Sequence, residues 1–184
     1  MNYNDDIYPV AGLQFNIKRL QDDLETMRIS TPFGGEFKHC ISLTQIPGSE
    51  SDPRGIFWVP QAEGKEEQRE EYVDESQYTL FNPAFENTYF KDVCDSLLEK
   101  FEIGRIRILK LEPRTCLSYH RDPEPRVHIP LITNPGALMI VDQFAVNLLS
   151  DGRAYFTNTL KYHSVLNGGE TERIHLVATV LKVK

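Results

Sequence analysis

The sequence predicts a mainly-β protein, a jelly roll with two supporting helices in its N-terminal half. Three observations carry that prediction. Before Gly104, apolar residues recur at helical spacing in two separate stretches. After Gly104 the period changes to two and stays so to the end of the chain. Turn residues cut this second part into short runs at roughly 8–12 residue spacing, the pattern of an all-β sandwich or barrel.

Taken in order, residues 7–14 give a short apolar start (Ile7, Tyr8, Val10, Leu13), read as a strand on a sheet edge. From Phe15 to Arg28 the pattern is helical, with Ile17, Leu20, Leu24 and Met27 three and four apart and charges between them. The breakers from Ser30 to Gly35 end that helix. Phe37 to Ile46 reads as a strand closed by Pro47 and Gly48, and Gly55 to Val59 as a second short run holding the only tryptophan, Trp58. Gln61 to Gln77 is rich in glutamate and poor in large apolar groups, so a plain solvated loop is expected there. It is also the first candidate for a lid.

Asn87 to Phe101 reads as the second amphipathic helix, with Tyr89, Phe90, Val93, Leu97, Leu98 and Phe101 on one broad face. Asn82 and Pro83 would start this segment and Gly104 would stop it. Eight strands are then expected, at 105–111, 115–120, 126–132, 137–141, 144–148, 153–157, 163–166 and 174–180.

Composition bounds the partners. A net charge of -7 and pI near 5.3 lack the basic face that nucleic acid or an anionic membrane requires. Cys40, Cys94 and Cys116 are odd in number and form no paired motif, which points to reduced thiols rather than a disulfide framework. With no apolar run near the ~20 residues of a membrane span and no signal-like N-terminus, a soluble, cytoplasmic protein is expected.

The chemistry concentrates between Tyr119 and Val180. With five His and 27 Asp plus Glu, some His-x-Asp/Glu arises by chance about half the time, so His120 and Asp122 alone mean little. Strand geometry adds weight, because residues two apart on a strand point to the same side. About four strand lengths later His163 opens its own strand, and a jelly roll brings such returning ends together. Two histidines and one carboxylate, with open positions left, are the ligand set of non-haem Fe(II) oxygenases. On the last strand Ile174, Leu176, Ala178 and Val180 form one apolar face, which turns Arg173 to the barrel interior. An arginine there is costly unless an anion pairs with it, and its fork suits a carboxylate. The same alternation places Arg126 and His128 together on one face of their strand.

These pieces, together with Pro130, Asn134, Asn167 and His175 around them, resemble the aspartyl/asparaginyl β-hydroxylase-like family of Fe(II)/2-oxoglutarate oxygenases, including bacterial free-amino-acid hydroxylases such as proline cis-4-hydroxylase. The resemblance runs from about Phe81 to Val180 and implies a double-stranded β-helix. It implies Fe(II) at His120, Asp122 and His163, and 2-oxoglutarate held by Arg173 with His128 and Arg126. It implies hydroxylation with O2 of an amino acid or an Asp/Asn-type peptide side chain, releasing succinate and CO2. One domain is expected over 1–184, with a variable part at 1–80 and the β-helix core at 81–181. Where some peptide-acting members carry a serine that touches 2-oxoglutarate, this chain has Leu109; inward-facing Arg107, two residues before it, either compensates for that serine or belongs to the substrate pocket.

Arg105, Arg107, Arg114, Arg121 and Arg126 crowd the same region and suit an anionic group on the substrate. Arg107, Arg121 and Asn167 are the expected substrate contacts, although acidic neighbours such as Glu112, Glu124 or Asp142 offer the arginines plain ion pairs. The alternative is a cupin-like metal module, either a sensor or a zinc hydrolase or isomerase. Arg173 separates the two, since a hydrolase needs no buried arginine ten residues after its last ligand.

Overall fold

Alternating strands of this composition have two unlike faces, and the computed structural model shows where each goes. It describes residues 3–33, 39–50 and 53–184. The chain begins with β1 (Ile7–Gln14), α1 (Ile17–Ser30), β2 (Cys40–Ser42) and β3 (Thr44–Gln45). Next come β4 (Phe57–Pro60), β5 (Glu66–Arg69), β6 (Leu80–Phe81) and α2 (Tyr89–Lys100). The rest is strand: β7 (Phe101–Leu111), β8 (Thr115–Cys116), β9 (Arg126–Ile132), β10 (Ala137–Val141), β11 (Phe144–Val146), β12 (Arg153–Thr157), β13 (His163–Asn167) and β14 (Arg173–Val183).

Two antiparallel sheets face each other. One has the order β1-β12-β9-β14-β7-β2, the other β11-β10-β13-β8. Both helices lie on the outer face of the larger sheet, as the apolar side of β14 requires. Leu20, Leu24, Phe90, Val93 and Leu97 are fully buried there against Ile106, Ile108, Val127, Ile129, Leu131, Ile174, Leu176 and Ala178. Truncating one such leucine to alanine costs about 2–5 kcal/mol. A smaller cluster between the sheets contains Ile7, Met139, Val141, Val146, Leu148, Tyr155 and Val165. The opposite parity of β7, β9 and β14 aims Arg107, Leu109, Arg126, His128, Arg173 and Val177 at the space between the sheets.

Several local expectations change. The strand expected at 37–46 is two short ones within 40–45, with Phe37 and Lys38 outside the described residues, as are Gly34 and Gly35. Residues 61–77 are not a plain loop, since β5 pairs with β4 as a hairpin (Phe57↔Arg69 to Pro60↔Glu66). Its turn carries Glu63 and Gly64 at φ 59° and 70°, the left-handed region a tight hairpin needs. Gly104 does not stop the helix. α2 ends at Lys100 and β7 starts at once; Gly104 lies inside β7, where a Cβ would come 2.6 Å from the Glu75 carboxylate. Asn82 and Pro83 open a separate 3-10 turn, and Thr88 precedes the first turn of α2. β8 stops at Cys116 rather than running to 120. Among the described residues no helix is long and apolar enough to cross a membrane.

Candidate active site

His120 follows β8 in an extended stretch and meets the first residue of β13 across an antiparallel bridge. The His120 amide donates to the His163 carbonyl at 3.0 Å, and the His163 amide donates back at 2.7 Å. Directly opposed residues carry their side chains on one face, and the two imidazole centroids are 4.2 Å apart. The Asp122 amide is fixed by the Thr159 carbonyl at 2.8 Å, which returns its carboxylate to the same spot. The three donor sets lie within 4.8 Å of one another. His120 Nε2 is 3.8 Å from Asp122 Oδ1, and His163 Nε2 is 3.6 Å from Oδ2.

The tautomers suit a metal. Nδ1 of His120 is 2.6 Å from the Ser118 carbonyl and Nδ1 of His163 is 3.0 Å from the Lys161 carbonyl. A carbonyl only accepts, so each Nδ1 holds the proton and each Nε2 offers a lone pair inward. Burial pulls His163 down to about 4, leaving it neutral at physiological pH. Burial pushes the Asp122 carboxyl up, but Arg126, with help from His163 and His120, holds it below its usual value. Arg126 Nη2 stands 3.2 Å from Asp122 Oδ2. Two imidazoles with Nε2 turned inward and one ionised carboxylate fit a divalent ion such as Fe(II). Phe57 from the hairpin sets its ring at 69° to the His120 ring, with centroids 5.2 Å apart.

The triad opens into a cavity of about 310 Å³ between the sheets. Arg173 and His128 line it together with Leu109, Met139, Val165 and Val177. Arg173 is 4% exposed and has one hydrogen bond among the described residues, from Nη2 to Nδ1 of His175 at 2.8 Å. No carboxylate of the described residues pairs with it. Burial draws its guanidinium down to about 9, still protonated at neutral pH. Nδ1 of buried His128 and Nε2 of buried His175 have no partner among the described residues. Burial, followed by the Arg173 charge, holds both rings neutral, well below the usual histidine value. A lone buried cation beside an orphaned imidazole nitrogen is an anion site by its own energetics.

The structure brings His120, Asp122, His163, Arg126, His128, Arg173 and Arg107 to one cavity. It does not bring Arg121 or Asn167 there. Arg121 points outward, with Nε and Nη2 on the Glu66 carboxylate at 2.5 and 2.6 Å and its guanidinium 4.4 Å from the Trp58 ring centre. Fully buried Asn167 is a scaffold residue. Its amide donates to the carbonyls of Leu111, Glu112 and Thr171 at 3.1, 3.1 and 2.9 Å. Phe57 and Thr159 line the cavity without having been singled out by the sequence, and the Glu66–Arg121 pair fixes the hairpin beside it. Only the hairpin had a sequence signal, the Glu63–Gly64 turn between an apolar and a charged run.

Comparison with known proteins agrees with this geometry. A family model described as aspartyl/asparaginyl beta-hydroxylase matches residues 72–182, more than half of the chain. No curated protein matches. A viral collagen prolyl hydroxylase from Paramecium Bursaria Chlorella virus-1, solved as a 2OG complex, is 10% identical, with 96% of each chain covered and a TM-score of 0.51. An oxidoreductase of the 2OG-Fe(II) oxygenase family from Burkholderia pseudomallei is 15% identical over 94% of this chain and 83% of its own, also with a TM-score of 0.51. At these identities the likeness is one of fold, and the fold is the jelly roll expected from the strand pattern.

Proposed function

The chain belongs to the aspartyl/asparaginyl beta-hydroxylase family, a family of 2-oxoglutarate-dependent oxygenases, and from that premise we propose that it hydroxylates a C–H bond of an amino acid, free or as an Asp/Asn-type peptide side chain. The balanced reaction takes substrate, 2-oxoglutarate and O2 to hydroxylated substrate, succinate and CO2. His120, Asp122 and His163 would hold the Fe(II), which with 2-oxoglutarate and O2 supplies the power to oxidise an unactivated C–H bond.

The chain's own residues set the conditions. The Ser118 and Lys161 carbonyls fix both imidazole rings with Nε2 inward. Arg126 keeps the Asp122 carboxylate ionised and in one orientation. Arg173, with His128 beside it, would hold a carboxylate of 2-oxoglutarate. Leu109, Met139, Val165 and Val177 dry the walls around these polar groups. Leu109 occupies the place of a cosubstrate-binding serine in some relatives, so Arg173 and His128 bear more of that contact here.

The observation that carries the reading is Arg173, a buried guanidinium with no carboxylate partner, in the cavity that opens from the triad. A metal hydrolase has no use for it. The test is anaerobic addition of Fe(II) and 2-oxoglutarate, which is expected to give a weak visible charge-transfer absorption, followed by succinate assay under air. Asp122→Ala is expected to lose retained iron, measured by metal analysis after desalting, while Arg173→Ala keeps iron and raises the 2-oxoglutarate requirement. Neither absorption nor succinate with any amino acid or peptide would sink the oxygenase reading; equal iron loss in both variants would sink the role of Arg173.

A further inference from the structure

Resting on that reading, we propose that Arg107 anchors a carboxylate of the substrate itself, so the substrate is an acid that carries its carboxylate into the cavity. The argument begins with a census of arginines. Arg105 is taken by Glu75, with Nε and Nη2 on Oε1 at 2.6 and 2.5 Å. Arg126 is taken by Asp122 and Glu124. Arg114 is taken by Glu170 at 2.6 Å and Arg121 by Glu66 at 2.5 Å. Arg173 faces the cosubstrate. Arg107 is left over.

It has no carboxylate partner among the described residues. Nη1 donates to the Pro53 carbonyl at 3.0 Å, which already accepts Nη1 of Arg105 at the same distance. Its Nε is buried with no partner among the described residues. Its charged neighbours include Arg105 and Arg126, together with Glu75 and Asp122, and burial first, then Arg105, draws its guanidinium down to about 10. A guanidinium nitrogen buried without a partner is costly unless an anion offsets it, and the acids that reach Arg107 electrostatically, Glu75 and Asp122, are already held by Arg105 and Arg126.

Register shows that this anion is a second one. On the adjacent strands β7 and β14, Arg107 pairs with Val177 while Arg173 pairs with Leu111. Arg107 is therefore rooted four residues from the Arg173 row, about 13 Å along the sheet at ~3.3 Å per residue. Val177 also pairs with His128 on its other side, so Arg107 and His128 flank one residue of the cavity floor. From there the row containing Arg126, the partner of Asp122, is the next but one residue along β9. The free guanidinium thus sits at the metal end of the floor, and Arg173 at the other end. The 53–55 segment passes close to both arginines: the Pro53 carbonyl accepts from each, and a Cβ on Gly55 would lie 2.1 Å from the Arg105 guanidinium.

A carboxylate reaches Arg107 from two sources, the α-carboxylate of a free amino acid or the side chain of an aspartyl residue in a peptide. The experiment separates them. Full-length protein with Fe(II), 2-oxoglutarate and air is assayed for succinate against three sets: free L-amino acids, the same amino acids as C-terminal amides, and N-acetylated peptide amides containing Asp or Asn. At least one acid is expected to stimulate succinate formation about 10- to 100-fold more than its neutral amide, the range of a charge-assisted hydrogen bond. In Arg107→Gln that ratio is expected to fall to near one, and Arg107→Lys, which keeps the charge, is expected to restore part of it. Thermal shifts of the anaerobic Fe(II)–2-oxoglutarate protein with the same pairs give a second readout that needs no turnover. Equal response to acids and amides in the unaltered protein would overturn the assignment. So would a rise in the 2-oxoglutarate requirement of Arg107→Gln equal to the loss of substrate response. Absence of succinate throughout, together with no thermal shift by 2-oxoglutarate, would instead overturn the oxygenase reading beneath it.

Discussion

Arg173→Met separates stability from function in a way the structure makes quantitative. The guanidinium is 4% exposed, charged at neutral pH and unpaired except for the 2.8 Å contact to His175. Replacing a buried charge by an apolar group of similar volume is often stabilising by about 1–4 kcal/mol. The lost hydrogen bond to His175 subtracts about 1 kcal/mol. The ligand-free variant is therefore expected to be as stable as the unaltered chain or up to about 3 kcal/mol more so. For a chain of this length 1 kcal/mol moves Tm by about 2–4 °C. Ligand reverses the order. With 2-oxoglutarate at about 100 times its Kd, the unaltered protein gains about 2.7 kcal/mol. Removing one side of a buried carboxylate–arginine pair costs about 2–5 kcal/mol, or about 30- to 5000-fold in affinity. At the same ligand concentration Arg173→Met then gains under about 1 kcal/mol. The assay is anaerobic thermal unfolding with Fe(II), with and without 2-oxoglutarate. A variant destabilised by more than about 2 kcal/mol without ligand would show that Arg173 belongs to the architecture. A variant that keeps the full ligand shift would show that the carboxylate lies elsewhere.

Other expectations follow from the paired charges. Glu75 and Arg105 are 5% and 3% exposed, and Glu75→Gln breaks a buried ion pair, expected to cost about 3–5 kcal/mol in denaturant unfolding. Burial pushes the Glu75 carboxyl up, but Arg105 and Arg126 outweigh it and hold the group below its ordinary value. A carboxyl lowered on folding stabilises above its unfolded value of about 4.3, and that stabilisation is lost as pH falls through the folded value. Below about pH 4 the unaltered protein should thus lose stability more steeply than Glu75→Gln; parallel curves would refute this. Glu66 ties the hairpin to the segments carrying the candidate metal ligands through Arg121 and through the Tyr162 hydroxyl at 2.6 Å. Glu66→Gln is expected to speed limited proteolysis between residues 61 and 70 while iron is retained. Unchanged cleavage would mean that the reciprocal 2.9 Å backbone bonds of Trp58 and Arg121 suffice.

What the sequence made legible is what period-two alternation controls. Ile174, Leu176 and Ala178 had to face the helices, so Arg173 had to face inward, and the structure places both so. The same rule, applied one residue further, would have excluded Arg121: flanked by His120 and Asp122, it has to point away from them. Asn167 is harder, because it shares the parity of His163 and Val165 and still ends among the backbone carbonyls that close the far end of β13. Non-local pairing hid the rest. β8 opens after Cys116 because the Leu117 and Ser118 carbonyls serve the Ser164 hydroxyl and the His120 ring. Gly104 looks like a helix stop until Glu75, 29 residues earlier, is seen packed on it. β5, with every residue exposed, is held by backbone pairing to β4 and by the Glu66 carboxylate, and leaves no apolar signature. The arginines join both lessons. Their crowding is visible in the sequence, but the carboxylates that neutralise them, Glu66, Glu75 and Glu170, arrive from segments 30 to 56 residues away. Once those pairs are subtracted, Arg173 and Arg107 remain as the two ends of a cavity floor that begins at the metal ligands, and two unmet cations there call for two acids.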